Sequence, residues 1–72
     1  MPIIEMHLMV GRTSDQKRRV SAAVAKAAAE ALDVSLQTVR ILITEHGVED
    51  FSVAGVTSGA KAEAAALTRE IK

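Results

Sequence analysis

Alternating apolar residues open the chain and predict a β-strand over residues 3–10. Side chains two residues apart share one face of a strand. One face of this segment is entirely apolar and consists of Ile4, Met6, Leu8 and Val10. The other face mixes apolar and polar side chains, namely Ile3, Glu5, His7 and Met9. We expect this mixed face to be partly buried against another subunit.

After Gly11-Arg12 the apolar spacing changes to that of a helix. The segment Thr13-Ser14-Asp15-Gln16 matches a capping box, with Thr13 as N-cap and Gln16 at the third helical position. The helix is predicted to end near Leu32. A stripe of apolar residues at helical spacing is expected to pack on a sheet, and it consists of Val20, Val24, Ala27, Ala28, Ala31 and Leu32.

A second strand is predicted over residues 38–44, where β-branched and aliphatic residues dominate. Strand, helix and strand form a βαβ unit, which predicts parallel strands and a right-handed crossover. Residues 46–59 predict a loop and a short hairpin around Gly55. The alanine-rich segment from Ala60 predicts a C-terminal helix or a frayed tail. The predicted fold class is α/β (α+β), in a single domain over residues 1–72.

The core that this fold can build is small. The chain has 72 residues, alanine and valine dominate its apolar positions, and Phe51 is the only aromatic residue. A chain this short buries only about 60% of the surface that its unfolded form exposes. There is no cysteine to form a disulfide or a thiolate metal site. We therefore expect an oligomer, which would also cover the edges and the open face of a two-stranded sheet.

Charge and hydropathy argue against several kinds of partner. Nine basic residues balance nine acidic ones without forming a basic face, which argues against binding to nucleic acid. No apolar stretch is long enough to span a membrane and no signal-peptide pattern is present, so we expect a cytoplasmic protein. The sequence has neither a glycine-rich phosphate loop nor a nucleophile elbow, and we predict no cofactor.

The pair Met1-Pro2 is the most informative candidate for chemistry. Proline is small enough for methionine aminopeptidase to remove Met1, and we expect the mature chain to begin with a secondary amine. The predicted strand follows at once and would hold that amine in place. The pKa of an α-amino group lies closer to neutrality than that of lysine, and burial or nearby cations lower it further. Pro2 could then act as a general base.

Two arginines are candidates for binding an anionic substrate. Arginine keeps its charge and binds a carboxylate through two parallel hydrogen bonds. Arg40 interrupts an otherwise apolar strand, between Val39 and Ile41, and Arg12 follows the turn residue Gly11. Taken alone, each is also compatible with an ordinary surface arginine.

The two histidines are weaker candidates. His7 lies on the mixed face of the first strand and is expected at an interface or at the surface. His46 begins a loop near Glu45, Glu49 and Asp50, but this group lacks a recognisable spacing of metal ligands. We predict no metal site.

Several segments together resemble one family, over about residues 2–55. They are Pro2-Ile3, His7-Leu8-x-x-Gly11-Arg12, Asp15-Gln16-Lys17, the strand Val39-Arg40-Ile41-Leu42-Ile43-Thr44-Glu45, and Phe51 with Gly55. In order and spacing they are similar to the 4-oxalocrotonate tautomerase family of the tautomerase superfamily, also called the 2-hydroxymuconate tautomerase family.

The resemblance implies a β-α-β subunit that assembles as a hexamer, often a trimer of dimers, and acts in aromatic catabolism. It implies that Pro2 is the base that moves a proton between carbons of a 2-hydroxy-dienoate or dienedioate. Arg12 and Arg40 would bind and polarise the carboxylate and carbonyl ends of this small-molecule substrate. Phe51 would supply an apolar wall.

Two departures from the family bear on function. After Phe51 the family favours a glycine-rich turn, whereas this chain has Ser52-Val53-Ala54-Gly55. The related chloroacrylic acid dehalogenases carry an extra arginine where this chain has Met9 and a water-activating glutamate where it has Val53, which favours the tautomerase. A dehalogenase- or hydratase-like relative, a subunit of a mixed hexamer and a non-catalytic assembly module remain as alternatives.

The positions of these residues predict a shared site. Pro2 and Arg12 lie at opposite ends of the first strand, so Arg12 can serve Pro2 only from another subunit, as in an antiparallel dimer. Arg40 opens the second strand, and a parallel neighbour could bring it near Pro2 within one chain. The family resemblance instead places Arg40 in a neighbouring dimer.

Overall fold

The computed structural model describes residues 1–71, and the side chains of residues 1–67. Two strands and the helix between them form the main unit, and a hairpin and a second helix follow. In chain order the elements are β1 (Ile3–Met9), α1 (Ser14–Leu32), a 3₁₀ turn (Leu36–Thr38), β2 (Arg40–His46), β3 (Ser52–Val53), β4 (Val56–Thr57) and α2 (Ser58–Ile71).

The strands β1 and β2 pair in parallel, as the sequence predicts. Their register runs from Ile3 opposite Arg40 to Met9 opposite His46. Backbone hydrogen bonds extend the pairing at both ends. The Arg40 N–H donates to the Pro2 carbonyl at 3.0 Å, and the Val10 N–H donates to the His46 carbonyl at 2.9 Å. Hydrogen bonds therefore join the first strand segment to the second from Pro2 to Val10.

The second strand begins two residues later than predicted, because local hydrogen bonds hold the preceding residues in a turn. The Ser35 hydroxyl accepts from the Gln37 N–H, and both the backbone N–H and the hydroxyl of Thr38 donate to the Ser35 carbonyl. Such short-range bonds of serine and threonine compete with a sheet for the backbone. Thr38 therefore ends the 3₁₀ turn instead of starting β2.

The helix α1 has the predicted bounds and the predicted cap. The Thr13 hydroxyl accepts from the Gln16 N–H at 3.1 Å, and the Gln16 side-chain oxygen accepts from the Thr13 N–H at 3.0 Å. At the other end Asp33 adopts a left-handed conformation with φ of 55°, and its N–H bonds to the last turn of the helix. Both ends thus satisfy backbone groups that a helix leaves free.

The contact between α1 and the sheet is thin. Side chains on one face of β1 are half-buried, and so are Val20, Val24 and Ala28 of α1. Ala29, 8% exposed, is the only buried residue among those whose side chains are described. Half of the predicted apolar stripe is exposed in the chain and does not form core: these residues are Ala27, Ala31 and Leu32, the last two of which lie in the final turn of α1. Val10, predicted on the apolar face of the first strand, is also exposed, because it lies one residue beyond the end of β1.

The hairpin around Gly55 is confirmed. The strands β3 and β4 are antiparallel, with Val53 opposite Val56. Ala54 and Gly55 both have positive φ, 54° and 81°, as a two-residue turn that follows the twist of the strands requires. The helix α2 begins two residues before the predicted Ala60, because the hydroxyl of Thr57 caps it by accepting from the Ala60 N–H at 3.0 Å. Within residues 1–71 neither helix could cross a membrane.

Large apolar side chains are exposed on the sheet face opposite α1. Ile3 is 61% exposed and Leu42 49% exposed. Further exposed apolar residues on the hairpin and on α2 include Val53, Val56 and Leu67. A monomeric protein rarely leaves this much apolar surface in water, so these surfaces are suited to contacts between subunits.

We predict that the midpoint of thermal unfolding depends on chain concentration. Most apolar surface would be buried only in the assembly, and mass action then links folding to association. For a chain of this length we expect the midpoint to rise on the order of 10 °C over a hundredfold increase in concentration. Circular dichroism at several concentrations, with light scattering on the same samples, measures this. A folded monomer whose midpoint does not change with concentration would refute the prediction.

Candidate active site

The predicted base, Pro2, lies at the amino end of β1. It is half-buried, and its carbonyl accepts the hydrogen bond from Arg40, whereas Met1 before it is 77% exposed. The strand that begins at Ile3 fixes the direction in which the chain leaves Pro2. The residue is thus anchored by the sheet on one side and accessible on the other, as a group that must meet a substrate requires.

The structure brings Arg40 to the same end of the sheet as Pro2. Arg40 opens β2 opposite Ile3, and its side chain is exposed. The guanidinium Nη1 donates to the Gln37 carbonyl at 2.7 Å. The same Nη1 also lies 3.5 Å from the Val39 carbonyl. Both bonds involve Nη1, so the donors on Nη2 and Nε remain for an anionic group of a substrate. Within one chain the backbone of Arg40 lies beside that of Pro2.

Arg12 lies at the other end of β1, beyond the turn at Gly11. Gly11 has φ of 114°, a conformation that side chains with a Cβ rarely adopt. Arg12 is exposed, and among the residues with described side chains it has no hydrogen-bond or ion-pair partner. It lines a cavity of about 220 Å³ with Leu8, Gln16, Lys17 and Val20. The chain therefore holds Arg12 at the far end of the sheet from Pro2.

Phe51 lies on the hairpin side of the molecule, immediately before β3. It is 49% exposed, and its carbonyl accepts from the Ser58 N–H at 3.0 Å, which fixes it against the start of α2. Phe51 also lines a mainly apolar cavity of about 310 Å³; the other lining residues are Val53, Val56, Thr57, Ser58 and Lys61. An apolar surface of this kind can contact the hydrocarbon part of a small substrate.

The acidic residues near His46 do not surround it as metal ligands. Glu45 forms an ion pair with Lys17, Glu49 accepts from the Thr57 hydroxyl, and Asp50 accepts from the Gly47 N–H. Over the described residues, no group of three or more histidine, cysteine or acidic side chains could hold a metal ion.

One pair of side chains was missed by the sequence analysis. His46 forms a hydrogen bond with His7, at 2.8 Å between His46 Nε2 and His7 Nδ1. The signal was available, because parallel strands in this register place residues 7 and 46 on neighbouring strands two positions apart. Neither histidine taken alone indicates the pairing, because it depends on the register of the two strands.

Comparisons with known proteins show the family to which the chain belongs. The family model described as Tautomerase enzyme matches residues 2–61. A 2-hydroxymuconate tautomerase of Pseudomonas sp. (strain CF600) is 40% identical over 55 residues, which are 76% of this chain and 87% of the relative. A 2-hydroxymuconate tautomerase of Stutzerimonas stutzeri is 35% identical over 60 residues, 83% of this chain and 95% of the relative.

A solved structure shows the same fold at higher identity. It belongs to the 4-oxalocrotonate tautomerase isozymes from Methylibium petroleiphilum, is 52% identical, and superposes with a TM-score of 0.85 over 88% of this chain and 98% of that chain. The matches cover β1, α1, β2 and the hairpin, the elements that carry Pro2, Arg12, Arg40 and Phe51. This chain therefore belongs to the 4-oxalocrotonate tautomerase family and is an isomerase of the tautomerase type.

Proposed function

We propose that this tautomerase interconverts the enol and keto forms of a 2-hydroxy-dienoate or dienedioate, with Pro2 as general base. The observation that carries the proposal is the hydrogen bond between the Pro2 carbonyl and the Arg40 N–H, which holds the backbone of the predicted base beside the backbone of an arginine. The names of the 2-hydroxymuconate tautomerase relatives support the substrate class. Residues 1–72 would act as one catalytic domain, in the cytoplasm.

The proposed chemistry requires removal of Met1. While Met1 is attached, the nitrogen of Pro2 is an amide and cannot accept a proton. Once Met1 is removed, that nitrogen is a secondary amine. Partial burial of this nitrogen and the positive charge of arginines brought to it in the assembled site would both disfavour its protonated form. A neutral amine can then take a proton from the substrate at neutral pH.

In this mechanism one proton moves within the substrate and no other reactant is consumed. The Pro2 amine removes a proton from the enol acid, which leaves a dienolate whose negative charge is spread over its oxygen and conjugated carbons. Arg12 and Arg40 bind the carboxylate and carbonyl ends and stabilise this charge as it develops. The protonated Pro2 then returns the proton to a carbon of the substrate. Phe51 would pack against the hydrocarbon chain.

This site would need more than one chain. The seven residues of β1 span about 23 Å at the rise of an extended strand, farther than an arginine side chain reaches. Arg12 would therefore meet Pro2 across a subunit interface, and an antiparallel dimer brings the end of one strand beside the start of the other. We propose a hexamer of identical chains, built as a trimer of dimers. A similar solved protein from Chloroflexus aurantiacus J-10-fl, 32% identical, is described as a heterohexamer 4-oxalocrotonate tautomerase.

We predict that Pro2→Ala lowers turnover of 2-hydroxymuconate by about a hundredfold or more, the usual loss when a general base is removed. Alanine still permits removal of Met1, but it replaces the secondary amine by a repositioned primary one. Ultraviolet absorbance follows the reaction, and mass spectrometry verifies the new terminus. Lys26→Ala, at an exposed position of α1, is the matched control and should keep full activity. A processed Pro2→Ala enzyme with the wild-type rate would show that Pro2 is not the base.

A mixing experiment tests the shared site. Pro2→Ala chains and Arg12→Ala chains, each nearly inactive alone, are unfolded together and refolded as hybrids. We expect activity to return in the hybrids, because some sites would then combine an intact Pro2 from one chain with an intact Arg12 from another. Each parent refolded alone is the control. Verified hybrids that stay inactive, while both parents assemble normally, would rule out a site shared between chains.

A further inference from the structure

The hydrogen bond between His7 and His46 lies along the line that joins the centres of the two rings. The nitrogens are 2.8 Å apart, the ring centroids are 5.1 Å apart, and the ring planes are inclined by only 28°. The centroid separation is close to the N···N distance plus the radius of each ring, so the two nitrogens lie near the line that joins the centroids. Each nitrogen therefore directs its lone pair or its N–H at the other.

This geometry suits a proton and does not suit a chelated metal. A metal ion bound by both rings needs lone pairs that converge on a third point, whereas these point at one another. One proton between the nitrogens makes an N–H···N bond, with one ring as donor and the other as acceptor. A proton on both facing nitrogens leaves no acceptor and places two positive charges at bonding distance. The bond can therefore exist only while at least one facing nitrogen is free of a proton.

Within the described side chains, no charged group is hydrogen-bonded to either histidine of the pair. On the same sheet face, Glu5 lies two residues before His7 and Arg40 lies at the far end of β2. On the helix side the nearest charges, Lys17 and Glu45, pair with each other. The remaining charged groups near this end of the sheet are Arg12 in the turn after β1 and, in the loop after β2, Glu49 and Asp50, which bond to Thr57 and Gly47. Within the described part of the chain, neither histidine forms an ion pair with a carboxylate.

The histidine pair lies at the end of the sheet where the chain leaves β1 and turns to Arg12. The His46 carbonyl accepts the Val10 N–H at 2.9 Å, the last bond between the two strands, and Gly11 and Arg12 follow directly. The side-chain bond from His7 to His46 joins the same two strands at the same end. Loss of the side-chain bond, with two like charges in its place, would push the strand ends apart where Arg12 is held.

We propose that His7 and His46 form a proton-operated clasp that positions Arg12 for substrate binding. The clasp is closed while the histidines share one proton across the bond, and it opens when both facing nitrogens carry a proton. The two histidines are positioning residues and do not touch the substrate. This inference rests on the proposed function, because it gives Arg12 the task of binding a substrate carboxylate.

Two substitutions of His46 separate the open and closed states. His46→Gln retains both a donor and an acceptor, can bond to His7 in either protonation state, and should keep the clasp closed at every pH. His46→Leu removes the bond and should leave the clasp open at every pH. Steady-state KM and kcat for 2-hydroxymuconate are measured from about pH 7 to about pH 5. At each pH the substrate is ionised to the same extent in every assay, so differences in KM or kcat between the variants come from the protein.

In the wild type we expect KM to rise about tenfold on acidification, the effect of one lost charge-assisted hydrogen bond to the substrate. In His46→Gln the KM should stay near its neutral value, and in His46→Leu it should be raised already at neutral pH and change little. The fall of kcat on acidification, which reports on Pro2, should be the same in the wild type and in both variants. An acid rise of KM in His46→Gln equal to that of the wild type would overturn the proposal.

A second measurement does not depend on activity. In the catalytically impaired Pro2→Ala background, NMR should show the backbone amide signals of Val10 and Arg12 shifting on acidification, and His46→Gln should abolish those shifts. If the shifts appear as expected but no chain turns over an enol acid, the clasp stands and the proposed function fails. If active enzyme shows no such shifts, or if His46→Gln leaves them unchanged, the clasp is wrong.

Discussion

Parallel pairing of β1 with β2 determines where Pro2, Arg40 and the pair of His7 with His46 lie. The register that sets Ile3 opposite Arg40 also fastens the Pro2 carbonyl to Arg40 at one end of the sheet. At the other end the same register brings His46 beside His7, just before the chain turns toward Arg12. A shift of one residue would turn each side chain of one strand to the other face. The positions of Pro2, Arg40 and the histidine pair therefore follow from one alignment.

The thin core connects this alignment to assembly. Alanines on α1 let the helix approach the sheet closely, but one layer of small side chains buries little surface, and Ala29 is the only buried residue among the described side chains. If another subunit covered the exposed apolar residues on the opposite sheet face, the buried apolar surface that a stable fold requires would increase. In our proposal the interfaces that cover those residues also join Pro2 of one chain to Arg12 of another. Stability and catalysis would then depend on the same contacts.

The sequence predicts the elements of this fold well where local chemistry decides them. The capping box at Thr13 and Gln16 determines the start of α1, and Gly55 marks the hairpin turn. Predictions were wrong where a competing interaction decided the outcome, as in the 3₁₀ turn that delays β2. The apolar stripe on α1 was only half right, because helical periodicity does not show where the sheet ends beneath the helix. The pairing of His7 with His46 was not predicted, because it depends on strand register and on neither residue alone.

The central claim is that a terminal proline in this fold catalyses enol–keto conversion. One measurement tests it directly: the mass of the purified chain is determined, and the same sample is assayed for ketonisation of 2-hydroxymuconate by ultraviolet absorbance. The account predicts a mass without Met1 and rapid turnover. A processed and assembled chain that turns over no enol acid would contradict it, and so would full activity in a chain that retains Met1.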